Sequence, residues 1–176
     1  MLLVNGKAYP TVDSEERAQA RSRDPKSEAM KIVCCVDGHS IAQRCWDLSV
    51  RLSRDGDSVE ALHVIDTDKD ATGKLNSMGT REVMSNYKTL ASKAAELQPQ
   101  AEFLATSTPK KGSTTNTILG YTEEGCMLQG EQYPADVLVM GSIELADPSK
   151  DLYLGSVVAA VAKKTEANIL VMKHFA

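Results

Sequence analysis

The sequence predicts an α/β fold: an open five-stranded parallel sheet with helices on both faces. Three observations carry that expectation. Short apolar runs rich in β-branched residues recur at MKIVCCV, ALHVI, VLVM and ILVM, the composition of strands buried on both faces. Between them lie stretches with apolar residues at helical spacing. The segment from Ala135 to Ala176 reads strand, loop, helix, strand, a complete βαβ unit. Strands alternating with helices in this way make a parallel sheet covered on both sides.

Composition sets the outer limits. The chain has 176 residues, 42% hydrophobic and 25% charged, which suits one soluble domain with a sizeable core. A formal net charge of -4 disfavours nucleic acid as the main partner. No apolar run approaches the roughly 20 residues that a membrane helix needs. The opening MLLVNGKAYPTVDSEE lacks the basic start and apolar core of a secretory leader. A soluble, cytoplasmic protein is expected.

Taken in order, residues 5–29 are rich in charged and polar side chains, with Pro10 and Pro25 as breaks. Residues 1–29 are expected to form a flexible extension ahead of an α/β domain spanning 30–176. Met30 to Val36 is the first buried strand, ending on Asp37-Gly38-His39-Ser40, with Ser40 a candidate N-cap. Ile41, Cys45, Leu48 and Leu52 then mark one helix face, which Arg54-Asp55-Gly56-Asp57 stops. Ser58 to Ile65 is the second strand, parallel to the first through a right-handed crossover. After a polar loop from Thr67 to Gly79, Arg81 to Leu97 carries a long apolar stripe and reads as a helix. Pro99 ends or kinks it, and Gln100 to Ala105 is expected to continue it. Thr106 to Ser113 reads as loop, Thr115 to Gly120 as the third strand, and Glu123 to Glu131 as a weak helix. Val137 to Met140 is the fourth strand, Val157 to Lys164 a helix, and Ile169 to Met172 the last strand.

In open α/β sheets, ligands bind outside the carboxyl ends of the strands. The loop from Gly141-Ser142 to Gly155-Ser156 leaves such an end and enters a helix whose free N–H groups can hold an anion. Cys34, Cys35, Cys45 and Cys126 lack the CxxC spacing of a zinc or redox site and read as free thiols in a reducing compartment. No metal site is expected. His39 lies near the presumed site, but no Ser-His-Asp order and no Walker lysine motif accompanies it. Trp46 lies off the main stripe of its helix and reads as packing. No candidate base or nucleophile emerges, so an enzyme is not expected.

KIVCCVDGHS, ALHVID, ADVLVMGS and LGSVVAAVAKKTEANILVMK, in that order and spacing, resemble the universal stress protein family across about Lys31 to Lys173. The resemblance implies a Rossmann-like, adenine nucleotide alpha hydrolase-like sheet and a homodimer through the C-terminal strand. It also divides the family. Some members bind ATP through a loop of Gly, two residues, Gly, nine residues, then Gly and Ser or Thr; others lack that loop and do not hold ATP. ATP or AMP is therefore the ligand expected if a nucleotide binds. Asp37 matches the family's adenine-contacting aspartate, whose carboxylate can accept from an exocyclic amine. Val64 matches a position whose backbone pairs with the base, and Gly120 a glycine approaching ribose and phosphates. Gly141, Ser142, Gly155, Ser156 and Val157 match the two ends of the phosphate loop. An Asp capping the following helix, and glycines serving turn geometry alone, are the plainer alternatives.

The loop departs from the family's spacing. Glu144 stands where a middle glycine is expected, and thirteen residues separate Gly141 from Gly155 where the pattern has twelve. Glu144, Asp147 and Asp151 oppose a single cation, Lys150. A glutamate in place of a glycine blocks close approach of the backbone to phosphate and repels it. Two readings follow: a regulatory module with an altered adenine-nucleotide site and no appreciable turnover, or a dimeric stress-response scaffold that binds no nucleotide.

Overall fold

The computed structural model describes residues 2–3, 29–66, 76–124, 126–128, 131–143 and 155–174. In chain order these form β1 (Leu2–Leu3), β2 (Lys31–Cys35), α1 (Ser40–Leu52), β3 (Ser58–Ile65) and α2 (Asn76–Leu97). There follow β4 (Glu102–Pro109), α3 (Thr114–Glu124), β5 (Cys126–Leu128), β6 (Glu131–Tyr133), β7 (Val137–Ile143), α4 (Ser156–Lys164) and β8 (Asn168–His174).

The main sheet has the order β1-β8-β7-β2-β3-β4. Its five long strands, β8, β7, β2, β3 and β4, are parallel, and β1 joins antiparallel. From β2 the chain winds outward through β3 and β4, then returns to build β7 and β8 on the other side. The direction of winding therefore reverses between β2 and β7, which opens a crevice at their carboxyl ends.

Side-chain alternation along the strands feeds two apolar layers. On one face Ile32, Cys34, Val59 and Ala61 meet Ile41, Cys45 and Trp46 of α1 and Tyr87, Ala91 and Ala94 of α2. On the other, Val33, Leu62, Leu138 and Met140 meet Ile118 and Leu119 of α3 and Val158 and Val161 of α4. Trp46 belongs to the core, its ring edge-on to Tyr87 at 6.0 Å and to Phe103 at 6.3 Å. Among the described residues no helix is long and apolar enough to cross a membrane.

Four expectations between Pro99 and Pro134 are corrected. Gln100 to Ala105 does not continue a helix, and Thr106 to Ser113 is not all loop: Glu102–Pro109 is the third parallel strand, registered along the whole length of β3. Thr115 to Gly120 is not a strand but lies within α3. Gly112, at φ 72°, turns the chain out of β4. Ser113 then accepts the Asn116 N–H on its hydroxyl and so caps the new helix. Instead of a helix over Glu123 to Glu131, α3 ends at Glu124 and the antiparallel pair β5–β6 follows. At the far edge Leu2 and Leu3 pair with Leu170 and Ile169, so β8 is not the outermost strand over its full length. The rest of the expected extension, residue 1 and residues 4–28, lies outside the described residues.

Candidate functional site

A cavity of about 460 Å³ opens at the carboxyl ends of β2, β3 and β7. Its floor comes from Cys35, Leu62, Val64 and Met140, and its walls from Ile41, Ile118, Val157 and Val158. Of the residues picked out by sequence, Asp37, Val64, Gly141, Ser142, Gly155, Ser156 and Val157 all line it. Gly120 does not; it lies inside α3, where an added Cβ would meet nothing within 4 Å. Its selection followed from reading that segment as a strand.

Asp37 stands at the mouth, half exposed. One carboxylate oxygen accepts the His39 backbone N–H at 2.9 Å, and the other is 3.0 Å from His39 Nδ1. His39, not the expected Ser40, is the N-cap of α1 and makes no side-chain cap; Ser40 is the first helical residue. Asp37 therefore fixes the loop before the helix rather than capping its first turn, and it is one of the residues lining the cavity.

The two loop ends meet through Ser142. This hydroxyl is buried at the end of β7 and accepts the Gly155 N–H at 3.2 Å. Gly155 is the N-cap of α4 and carries no side chain over the helix end. The first helical bond runs from the Ala159 N–H to the Gly155 carbonyl, so the Ser156, Val157 and Val158 N–H groups lack helical acceptors. Those donors and the positive end of the helix dipole border the cavity. Gly141 has a packing reason: a Cβ there would stand 2.9 Å from two carbons of Ile41. It lies in the β7 ladder opposite Met172, so it serves close helix–strand packing rather than a turn.

The edge of β3 is left open. The Val36 N–H donates to the Leu62 carbonyl at 2.9 Å, which is the last backbone rung between the first two long strands. Val64, two residues beyond Leu62, turns its N–H and C=O toward the same side, past the end of β2.

Sequence reasoning missed His63, Thr114 and Ile118, which also line the cavity. For Thr114 the missed signal was Gly112-Ser113, a turn glycine followed by an N-cap serine. Cys35 contributes a neutral thiol, because burial first, then nearby Cys45 and Asp37, push it up to about 12. Among the described lining residues there is no lysine or arginine. Glu144, Asp147, Lys150 and Asp151, with the loop-spacing argument built on them, lie outside the described residues.

Comparison with known proteins agrees with this layout. The sequence model of the universal stress protein family matches residues 28–173. No curated protein matches the chain at a significant level. Among solved structures, the universal stress protein UspA from Lactobacillus plantarum superposes with a TM-score of 0.60 at 17% identity, covering 83% of this chain and 99% of that one. A universal stress protein from Archaeoglobus fulgidus gives 0.59 at 18%, covering 82% and 98%. A universal stress protein solved in complex with cAMP gives 0.53 at 18%, covering 84% and 98%. With the family model spanning most of the chain and these structures sharing its fold, the chain belongs to the universal stress protein family.

Proposed function

We propose that the chain is a regulatory module that binds an adenine nucleotide at this cavity without appreciable turnover. The carrying observation is the open edge of β3 at Val64, set within an apolar cleft. A purine is flat and apolar on its faces and needs paired donors and acceptors at its rim, and a strand edge offers both. Asp37 supplies a carboxylate for the exocyclic amine, and the N–H groups at the start of α4 supply donors for phosphate. A structural relative was solved with cAMP, a ligand of the same class.

In the loop between Gly141 and Gly155, Glu144, Asp147 and Asp151 stand against the single cation Lys150, a charge balance that suits one phosphate better than three. AMP should therefore bind at least as well as ATP. His63 is engaged by backbone and Thr80, and the Cys35 thiol is neutral, which supports binding rather than catalysis. Thermal-shift assays followed by calorimetry with AMP and ATP test the reading. At a hundred times its dissociation constant a ligand adds about 2.7 kcal/mol of stability. Tight ATP binding with AMP much weaker would sink the preference, and binding of neither would favour the scaffold.

A homodimer through β8 is proposed alongside. Leu2 and Leu3 cover Leu170 and Ile169, and among the described residues no strand pairs with the outer edge at Val171 and Met172. Unpaired apolar edges are ordinarily covered. Sedimentation that finds only monomer at micromolar concentration would count against it.

A further inference from the structure

A parallel ladder that places the Val36 N–H on the Leu62 carbonyl would continue with the Val64 N–H on the Val36 carbonyl. That rung is not formed. The Val36 carbonyl instead lies 3.0 Å from His63 Nδ1. A carbonyl only accepts, so Nδ1 carries the proton and donates. In the neutral ring Nε2 is then an acceptor, and the Thr80 hydroxyl stands 3.4 Å from it. The imidazole is thus held at both nitrogens, between the end of β2 and the start of α2.

We propose that His63 is a positioning residue which, by drawing the Val36 carbonyl to its ring, keeps the strand pair from closing and leaves the Val64 backbone free to pair with a ligand's rim. The inference rests on reading the cavity as an adenine site, and it adds the residue that holds the site's pairing edge open. Without that donor, the Val36 carbonyl is an orphan acceptor next to the orphan N–H of Val64. Backbone groups left unpaired in register at the end of a ladder bond to each other. The next rung would form, the crevice would lose its edge, and a purine would have to break a strand bond to bind. His63 touches no reacting atom in this scheme; it acts through Val64.

Amide hydrogen exchange and nitrogen shifts measured by NMR on the full chain test this without any ligand. In the wild type the Val64 amide should exchange readily for its place in a central strand, and the His63 ring should be in the Nδ1–H tautomer. In His63→Leu the Val64 amide should be protected by about tenfold or more as the rung closes. AMP binding should weaken by about tenfold, the loss of roughly one hydrogen bond. His63→Asn places an amide nitrogen at the position of Nδ1, so it should retain both wild-type exchange and AMP affinity. A generic packing defect would not be rescued in that way.

A protected Val64 amide or an Nε2–H tautomer in the wild type overturns the proposal, and these two measurements stand even if His63→Leu does not fold. So does an Asn variant that behaves like the Leu variant. The outcomes separate from those of the nucleotide reading. An open Val64 edge in a protein that binds no nucleotide would fault the function, whereas nucleotide binding to a protein with the rung closed would fault the role of His63.

Discussion

Replacing Gly141 with alanine probes the joint between the site and the core. Gly141 lies in β7 against Ile41 of α1, and a Cβ added there would stand 2.9 Å from Ile41 Cγ1 and Cγ2 and 3.4 Å from its Cβ. These atoms sit at the root of a β-branched side chain that is 3% exposed, so rotation cannot clear them. The strand cannot yield alone either, because Gly141 is in register with Met172 of β8. Overpacking of this kind costs about 1–3 kcal/mol. For a chain of this size that lowers the melting temperature by about 2–4 °C per kcal/mol. Ile41→Ala alone should cost about 2–5 kcal/mol through the cavity it leaves. In the double variant both Cγ atoms are gone, so its loss should fall short of the sum by about 1–3 kcal/mol. Urea unfolding followed by Trp46 fluorescence reads all four stabilities. Unchanged stability in Gly141→Ala, or strict additivity in the double variant, would refute the packing argument.

Two further expectations follow from burial and from the edge of the sheet. Burial, with smaller contributions from neighbouring charges, raises Cys35 and Cys45 from 9.0 to about 12 and holds Cys34 well above its ordinary value. The folded chain therefore keeps these protons while the unfolded chain releases them, so their contribution is full below pH 9 and falls as pH rises toward 12. The urea midpoint should drop between pH 8 and about pH 10, less so in Cys35→Ala; a midpoint that holds or rises would contradict this. For the proposed dimer, the melting temperature should rise with protein concentration, and a concentration-independent melt would speak for a monomer.

Most of the scaffold was legible because its central strands are buried on both faces. MKIVCCV, ALHVI, VLVM and ILVM each became a parallel strand of the main sheet, at β2, β3, β7 and β8. The outer strand was not legible. In β4 Phe103 alone is buried and the other residues are partly or fully exposed, so no apolar run or alternation marks the strand, and the helix-favouring Ala, Glu and Leu of QAEFLA pointed to a helix. Pairing with β3 outweighed local propensity. In TTNTILG the β-branched residues pointed to a strand, yet Gly112 and the Ser113 cap start a helix there. Two residues containing Gly130 separate β5 from β6, a hairpin spacing that went unread.

The site followed the same division. Asp37, Val64, Gly141, Ser142, Gly155, Ser156 and Val157 sit at ends of well-marked strands and a well-marked helix, and the fold gathers them around one cavity. Gly120 fell away with the strand it was assigned to. His63 could not be found from sequence, since its importance lies in a rung that is missing.

The most direct test of an adenine site here is an amide-resolved NMR titration of the full chain with AMP. Shifts that saturate together at Asp37, Val64, Ser156 and Val157, while α2 residues such as Ser85 and Asn86 stay still, are the expected result. Saturable AMP binding that leaves those four amides unmoved, or shifts confined to another face, would contradict a nucleotide site at the carboxyl ends of β2, β3 and β7.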